Sequence, residues 1–369
     1  MKTKIIANYL PQFHAIKEND EWWGKGYTDW CAVKKAKPQF NGHEQPKIPL
    51  NENYYSLNDV EVIRKQALLA RKYGIYGFGI YHYWFSSEMC LLDEPVKILN
   101  SNDDIDINYM FIWDNASWKR TWSNVRFGND WAPLYEDSTK ERKNGILAEL
   151  KYGDKIEWEK HFYYLLPFFK DTRYIKVDNK PVFAFYNQNN EPNIVKKMIV
   201  FWNELAKENG FNGIYDLGKH NFENIKVTNN EFVYNPEWTA WTGHNIMERV
   251  KNKIIRQIKR KGPFLYDYDK VWNKLIKEAK GKKLGDNVYY SGFVSYDDSP
   301  RRGQNGKVIC GSTPHKFEEY LSRLFEICNE QNKEFLFLTA WNEWGEGAYL
   351  EPDEKQKYLY LEAIKHVVG

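Results

Sequence analysis

Short apolar runs alternate with longer amphipathic segments along most of the chain. The short runs are rich in β-branched and aromatic residues, which is typical of strands, whereas the longer segments repeat apolar positions every three or four residues, as helices do. The pattern predicts eight strands, at residues 4–9, 76–83, 108–113, 181–186, 213–217, 231–234, 288–294 and 334–339. It predicts helices at residues 57–73, 94–100, 158–169, 194–209, 267–279 and 314–332.

The alternation of strands with helices favours a parallel sheet, and eight strands are the number that closes such a sheet into a barrel. The chain has 369 residues, and no Ser-, Pro- or Gly-rich linker divides it. We therefore expect an α/β protein in which residues 1–369 form one domain. That domain is predicted to be a single (β/α)8 barrel of the TIM type with long βα loops.

Polar and aromatic residues gather where the predicted strands end. In a barrel of this kind the C-terminal ends of all strands meet at one face, where enzymes with this fold carry their active sites. The candidates for substrate binding at this face are Tyr9, Gln12, His14, His82, Trp84, Trp113, Asp114, Asn115, Trp118, Arg120, Asn187, Glu237, Asp297, Trp341 and Asn342. For the histidines and tryptophans among them, a purely structural role is the alternative.

The last predicted strand leads into the run Trp-Asn-Glu-Trp-Gly-Glu, which contains Glu343 and Glu346. Glycosidic chemistry uses two carboxylic groups, one to protonate the departing oxygen and one to assist attack at the anomeric carbon. Side chains three residues apart on a helical turn project to the same side, and Gly345 gives the backbone freedom to bend between them. We therefore predict Glu343 and Glu346 as the catalytic residues. The alternative is that they lie in the first turn of the last helix, where acidic residues interact favourably with the helix dipole.

The composition agrees with a carbohydrate ligand. Aromatic residues make up 17% of the chain and the mean hydropathy is −0.72, so many rings lie in polar surroundings, as they do in sugar-binding clefts. A formal net charge of +3 gives no electrostatic argument for nucleic acid. The four cysteines match no zinc or disulfide spacing, so reduced thiols are expected. No metal or cofactor is predicted; a cation site formed by Asp114, Asp297 and Asp298 is the alternative, without regular spacing to support it.

Several long motifs resemble one known family. The strings are NYLPQFH, WWGKGYTDW, QPKIPL, KYGIYGFGIYHYWF, RYIKVDNKPVFAFYN, YDDSPRRG and TAWNEWGEGAYLEP, and together they extend from about residue 4 to about residue 361. They resemble the WbsX family, whose members are described as bacterial glycosyltransferases of O-antigen and capsule clusters. The resemblance implies a role in lipopolysaccharide or other surface-polysaccharide biosynthesis, and its motifs add Trp23, Asp29 and Tyr81 to the candidates for substrate binding.

That family is in turn similar to the endo-α-mannosidase and endo-mannanase glycoside hydrolases, which are (β/α)8 barrels. The string NEWGEG resembles their Asn-Glu-Trp-His-Glu-Gly motif, with Gly345 in place of the histidine. The resemblance implies that Glu346 is the general acid/base. It implies that Glu343 assists attack by deprotonating a neighbouring sugar hydroxyl. A second departure is Ala116, where many WbsX-like members carry Glu.

Three functions follow as hypotheses. The first is a retaining, endo-glycosidase-like enzyme acting on an α-linked bacterial glycan. The second is a glycosyltransferase of surface-polysaccharide assembly with an oligosaccharide or polysaccharide substrate, lipid-linked in some cases. The third is a non-catalytic glycan-binding protein, which the presence of both glutamates disfavours.

The chain contains no long apolar stretch, either as a secretion signal at its start or as a transmembrane segment, so we expect a cytoplasmic protein. Residues 249–262 combine an apolar helical face with basic residues elsewhere. Such a segment suits peripheral contact with the inner face of the membrane, and an outer barrel helix with a solvated basic face is the alternative.

Overall fold

A computed structural model describes residues 2–120, 145–223, 225–242, 262–282 and 284–369, with the backbone alone at residues 128–130 and 242. We number the barrel strands β1 to β8 in chain order. They are Lys4–Tyr9, Gly77–Ser86, Asn108–Trp113, Lys180–Phe185, Tyr215–Lys219, Asn230–Phe232, the two segments Val288–Tyr289 and Ser291–Phe293 of one split strand, and Phe335–Thr339.

Neighbouring strands of this series run parallel to each other in sequence order, and the series closes on itself. Strand β1 pairs with both β2 and β8. The first segment of β7 pairs with β6 and the second pairs with β8. Only Tyr290 separates the two segments, and its carbonyl oxygen accepts a hydrogen bond from Phe337 N at 3.1 Å, so the hydrogen bonding continues across the break. The predicted eight-stranded α/β barrel is confirmed.

Helices alternate with the barrel strands, and short helices also occur in the loops after β1 and β7. In the described part of the chain they are α1 to α10, which span Lys17–Trp23, Asp29–Lys35, Val60–Lys72, Glu94–Ser101, Lys155–Lys170, Pro192–Glu208, Tyr268–Lys280, Ser299–Arg302, Pro314–Glu330 and Leu359–Val368. All six predicted helices are present, with ends shifted by a few residues at most. The helices α1, α2, α8 and α10 were not predicted, and no helix occurs in the described residues between β5 and β6.

Local sequence explains where several helices begin. The side chains of Asp59, Asp154, Asp267 and Thr313 each accept a hydrogen bond from a backbone N–H in the first turn of α3, α5, α7 and α9 respectively. Such caps satisfy backbone donors that have no partner inside the helix. The helices then bury one face against the strands, which are themselves buried on both sides, as β2 and β8 illustrate.

Short strands and turns lie in the connections between these elements, and most of them follow barrel strands. The short strands are Met89–Leu91, Ser117–Lys119, Gly128–Asp130, Ile146–Ala148, Lys176–Val177, Phe264–Asp267, Tyr296–Asp297, Lys307–Cys310, Asn342–Glu343 and Ala348–Tyr349. Three 3-10 turns, Leu50–Glu52, Gly303–Asn305 and Trp344–Glu346, and a π-helical segment, Trp238–Thr242, complete the described elements.

Candidate active site

A tight hairpin follows β8 at the C-terminal end of the barrel. Its two arms, Asn342–Glu343 and Ala348–Tyr349, pair antiparallel, and the 3-10 turn Trp344–Glu346 joins them. Gly347 closes the turn with φ of 56°, a left-handed conformation that suits glycine. Glu343 ends the first arm of the hairpin and Glu346 ends its turn. Neither residue lies in the first turn of the last helix, which was the alternative interpretation.

The side chain of Asn342 fixes this hairpin to the end of β1. Its Oδ1 accepts a hydrogen bond from Leu10 N at 2.7 Å, and its Nδ2 donates to Leu10 O at 3.0 Å. These two bonds supply partners for the backbone N–H and C=O of Leu10, which lies just beyond the end of β1 at Tyr9. The predicted site residue Asn342 thus holds the backbone of the site and is itself fully buried.

One guanidinium group joins both glutamates. Arg301 Nη2 lies 2.7 Å from Glu343 Oε1, and Arg301 Nη1 lies 3.1 Å from Glu346 Oε1. On its other side Arg301 binds Asp29 through two bonds, Nε to Oδ1 at 3.0 Å and Nη2 to Oδ2 at 2.8 Å. The side chain of Glu343 is 6% exposed and that of Glu346 is 26% exposed, so Glu346 is the more accessible of the two.

The surroundings of Glu343 act on its pKa in opposite directions. Burial raises the pKa most, Arg301 lowers it, and the negative charges of Glu346 and Asp29 raise it again, so that the net pKa lies well above the usual value for glutamate. The raised pKa favours a proton on Glu343, next to the carboxylate of Glu346.

Both glutamates line a cavity of about 340 Å³. Its walls come from the C-terminal ends of most barrel strands, where enzymes with this fold carry their active sites. The lining residues are Leu10, Tyr81, Tyr83, Asp114, Tyr186, Tyr234, Glu237, Trp241, Tyr296, Arg301, Arg302, Lys307, Glu343 and Glu346. The cavity is therefore rich in rings, hydroxyls and charges, a combination that suits a sugar, which offers C–H faces and hydroxyl groups.

Burial keeps the tyrosines of this cavity protonated. It raises the pKa of Tyr81, Tyr83, Tyr186, Tyr234 and Tyr296 well above the usual value for a phenol. Each of these hydroxyls can therefore donate or accept a hydrogen bond at neutral pH.

Some of the predicted site residues contact the cavity and others support it. Tyr81, Asp114 and Glu237 line it together with the two catalytic candidates. Behind the wall, Gln12 donates to the hydroxyl of Tyr83 at 2.9 Å. Asn187 Nδ2 lies 3.3 Å from Asp114 Oδ1, and Asn187 N donates to Asn115 Oδ1 at 2.7 Å.

Three predicted sugar contacts, His82, Trp84 and Trp113, lie outside the barrel against α5. His82 Nε2 is 2.9 Å from His161 Nε2, and the ring of Trp84 stacks on His161 with centroids 4.4 Å apart. Trp113 Nε1 donates to Trp84 O at 2.9 Å. Burial lowers the pKa of His82 to about 3, so this imidazole is neutral. These residues pack the core, and the expectation that they contact sugar is corrected: successive residues of β2 point to opposite faces, so His82 and Trp84 point away from Tyr81 and Tyr83.

The remaining candidates also lie away from the cavity wall. Tyr9 donates to Gln66 Oε1 on α3 at 2.7 Å. His14 is buried, which lowers its pKa to about 4. Trp341 is buried against Phe78 with ring centroids 5.3 Å apart.

Two further candidates, Trp23 and Trp118, belong to an aromatic cluster near Trp22. The ring of Trp22 lies 5.3 Å from that of Trp23 and 5.9 Å from that of Trp118. Trp118 in turn lies 5.0 Å from Tyr83, so it packs behind the cavity wall. The backbone N–H of Arg120 donates to Gly145 O at 2.7 Å in the same loop region.

Asp297 borders a second cavity, of about 300 Å³, and not the first. Its Oδ2 lies 2.7 Å from His43 Nε2 and accepts a hydrogen bond from Gln45 Nε2 at 2.5 Å. The arrangement separates Asp297 from Asp114, which lines the first cavity. Among the described residues, no group of three or more His, Cys, Asp or Glu side chains is placed to hold a metal ion.

Sequence reasoning missed the cations of the site. Arg301, Arg302 and Lys307 all line the cavity, and none had been a candidate. The string YDDSPRRG contains both arginines, but only the folded chain brings this string next to Glu343 and Glu346. Tyr83, Tyr186 and Tyr234 were also absent from the candidates, although Tyr83 belongs to β2 and the other two lie within two residues of the ends of β4 and β6, which is a usable signal.

A family model described as Glycosyltransferase WbsX matches residues 5–364. The chain belongs to the WbsX family. Two curated relatives, both named WxcX and described as uncharacterized, come from strains of Xanthomonas campestris pv. campestris. They are 29% and 28% identical over 371 and 374 residues, which cover 99% of this chain and 49% of each relative. The chain thus spans about half the length of the curated relatives it matches.

Solved structures of glycoside hydrolases share the fold of this WbsX chain. A GH99 endo-alpha-mannosidase from Bacteroides thetaiotaomicron matches with a TM-score of 0.57 and 14% identity, covering 99% of this chain and 96% of that one. A glycoside hydrolase-like protein matches with a TM-score of 0.59 and 12% identity, covering 99% and 94%. At these identities the likeness concerns the fold.

The structure also bears on the cysteines and on the membrane. All four cysteines are free; Cys328 is buried and the other three are half-buried. None of the helices in the described ranges has both the length and the apolar character needed to cross a bilayer. The basic segment 249–262 lies outside the described residues except for Gly262.

Proposed function

We propose that this WbsX chain cleaves or remodels an α-linked bacterial glycan with retention of configuration, and that Glu343 and Glu346 carry the reaction. The observation that supports this most is that both carboxylates line one cavity and bind neighbouring nitrogens of a single guanidinium group. A sugar in the cavity would therefore meet both acids at once, which is what chemistry at one glycosidic bond requires.

The roles follow from exposure and from the resemblance to the related hydrolases. Glu346, the more exposed of the pair, donates a proton to the departing glycosidic oxygen. Glu343 accepts a proton from the neighbouring sugar hydroxyl, whose oxygen then attacks the anomeric carbon and displaces the leaving group. Water or an acceptor hydroxyl then attacks the anomeric carbon of the resulting epoxide-like ring. Glu346 takes the proton of that nucleophile, and Glu343 returns its proton to the sugar oxygen as the ring opens. Burial of Glu343 opposes this assignment because it favours the protonated form, whereas the hydrogen bond from Arg301 supports the carboxylate there.

The experiment compares Glu343→Gln with Glu346→Gln on two kinds of substrate. The first is a panel of bacterial α-linked oligosaccharides, and the second is a set of 4-nitrophenyl α-glycosides, whose leaving group needs no protonation. We expect both variants to be inactive on oligosaccharides, while Glu346→Gln retains release of 4-nitrophenol and Glu343→Gln does not. The reverse pattern would exchange the two roles. Binding of a glycan without turnover by the unaltered protein would overturn the proposal in favour of a glycan-binding protein.

A second candidate is glycosyl transfer in surface-polysaccharide assembly, which the description of the matching family favours. The same acids would then act with a sugar hydroxyl in place of water. In that case a lipid-linked oligosaccharide at the inner face of the membrane is the acceptor, and residues 249–262 are the membrane contact. Incubation with lipid-linked oligosaccharide, with and without sugar nucleotides, separates the candidates. A growing product supports transfer, and a shrinking one supports hydrolysis.

A further inference from the structure

We propose that Arg301, braced by Asp29, is a positioning residue that holds the carboxylates of Glu343 and Glu346 in one fixed arrangement, and that Gly345 leaves the space this brace occupies. The importance of this arrangement for catalysis rests on the proposed function. Its geometry and its effect on the two acids stand independently of which sugar the enzyme uses.

The guanidinium group of Arg301 is rigid, and its bonds are distributed over three carboxylates. One edge, Nε and Nη2, faces Asp29 at 3.0 and 2.8 Å. The Nη2 atom also donates to Glu343 at 2.7 Å, while Nη1 donates to Glu346 at 3.1 Å. Because the fork of an arginine is planar and its donors are fixed relative to each other, binding two carboxylates through it fixes their relative placement.

Arg301 is itself held in place. Its side chain is 4% exposed, and that of Asp29 has no exposed surface. Asp29 begins α2, Arg301 belongs to α8, and the glutamates follow β8, so the cluster joins three distant segments of the chain. Asp29 Oδ2 also accepts a hydrogen bond from Gly345 N at 3.1 Å. Because separating one partner would leave a buried charge uncompensated, the cluster is held together as a unit.

The residue between the two acids has no room for a side chain. A Cβ atom on Gly345 would lie 2.4 Å from Arg301 Nε, 2.4 Å from Asp29 Oδ2 and 2.7 Å from Arg301 Cζ. These distances are far below van der Waals contact, so the Arg301–Asp29 pair and a side chain at residue 345 exclude each other. Glycine is therefore the residue that lets the pair approach the hairpin, which gives a physical reason for the departure at Gly345 from the hydrolase motif.

The charges of the cluster follow from this arrangement. Asp29 offsets the positive charge of Arg301, and two further carboxylates then share the same cation at close range. Arg301 donates to both glutamates, and it favours the ionised form of Glu343 against burial and the charges of Glu346 and Asp29. Loss of Arg301 should therefore raise the apparent pKa values of the pair, whatever the substrate.

The test is a titration that needs no substrate. Protein labelled with 13C at the glutamate carboxyl carbon is titrated by NMR, and the signals of the pair are assigned by their loss in Glu343→Gln and Glu346→Gln. We expect Arg301→Gln to raise the apparent pKa values of the pair by about 1–3 pH units. Arg301→Lys keeps the charge but lacks the fork, so its shift should have the same sign and be smaller. A titration of the pair unchanged in both variants would overturn the proposal.

Two further variants make the test specific. Gly345→Ala should displace the brace and shift the titration in the same direction as Arg301→Gln. Arg302→Gln is the matched control, since Arg302 lines the same cavity and forms its ion pair with Asp298 at 3.4 Å. We expect the control to leave the pair within a few tenths of a pH unit, and a shift as large as that of Arg301→Gln would contradict a specific role for Arg301. Failure of glycan turnover with an intact titration effect would refute the proposed function and leave the positioning inference standing.

Discussion

Two buried carboxylates on the segment after β8 have different surroundings. Glu343 binds the cation Arg301, lies next to a second glutamate and faces a cavity lined by tyrosines. Glu351 accepts hydrogen bonds from three neutral donors, Tyr55 Oη, Gln66 Nε2 and Trp344 Nε1, each at 2.7 Å. Burial raises the pKa of both carboxyls, that of Glu351 to about 7.

The difference shows that burial and a raised pKa do not by themselves mark a reacting acid. Glu351 anchors the ring of Trp344 by accepting its N–H, and it connects the hairpin to α3 by accepting a hydrogen bond from Gln66. Around Glu343 the partners are charged, and a second acid stands beside it at a cavity wall. We therefore propose chemistry for the Glu343–Glu346 pair and an anchoring role for Glu351.

The largest expected effect contrasts the reactive pair with the anchor. Glu346→Gln should lower turnover of a cleaved oligosaccharide by about 10²–10⁴-fold, the usual contribution of a general acid/base. Glu351→Gln, the matched control, should cost far less activity because Glu351 touches no reacting atom. Initial rates of both variants, measured at equal concentrations of folded protein, check this. Equal losses in the two variants would remove the distinction.

The second prediction reverses the contrast in stability. Glu351→Ala should lower the free energy of unfolding by at least about 3 kcal/mol, because three buried donors lose their acceptor at about 1–3 kcal/mol each. Glu346→Gln should change it little, since that side chain is partly exposed and lies at a cavity. Urea unfolding of both variants gives the comparison. A stable Glu351→Ala protein would show that the anchor is dispensable.

The third prediction concerns pH. A folded-state pKa of about 7 for Glu351 means that the folded protein keeps a proton that the unfolded chain loses at about pH 4.5. Stability from this group is fully present below pH 4.5 and is lost as the pH rises to about 7, by about 3 kcal/mol in all. Unfolding of the unaltered protein and of Glu351→Gln at several pH values isolates this contribution as a difference between the two proteins. A difference that does not change with pH would contradict it.

The smallest expected effect tests the support of the hairpin. Asn342→Ala removes two hydrogen bonds to the backbone of Leu10 and should lower the free energy of unfolding by about 2 kcal/mol. It should also lower turnover, because the arm that presents Glu343 is loosened. Unfolding and rate measurements on this single variant check both outcomes. Loss of stability with full activity would mean that the hairpin positions Glu343 without Asn342.

Much of the fold could be predicted because its signals are local. Most barrel strands are short runs of β-branched and aromatic residues, and the helices repeat their apolar positions at helical spacing. Glu343 and Glu346 could be proposed because they directly follow the last strand. The exterior position of His82 and Trp84 was also within reach, since alternate residues of a strand face opposite sides and Tyr81 and Tyr83 occupy the other face.

The rest of the site depends on contacts between distant parts of the chain. Asp29 and Arg301 are separated by 272 residues, and no pattern near either of them indicates the other. The same holds for Asn342 and Leu10, which are 332 residues apart. Steric exclusion at Gly345 follows only from the packed Arg301–Asp29 pair, so the sequence indicated a departure from a motif but not its cause.

The most direct test of the central claim is a crystal structure of Glu346→Gln soaked with bacterial α-linked oligosaccharides. We expect density for a sugar in the cavity that Tyr81 and Tyr234 line, with its anomeric carbon beside Glu343 and its glycosidic oxygen within hydrogen-bonding distance of residue 346. A glycan bound elsewhere, in contact with neither Glu343 nor residue 346, would contradict the claim that this pair performs the chemistry.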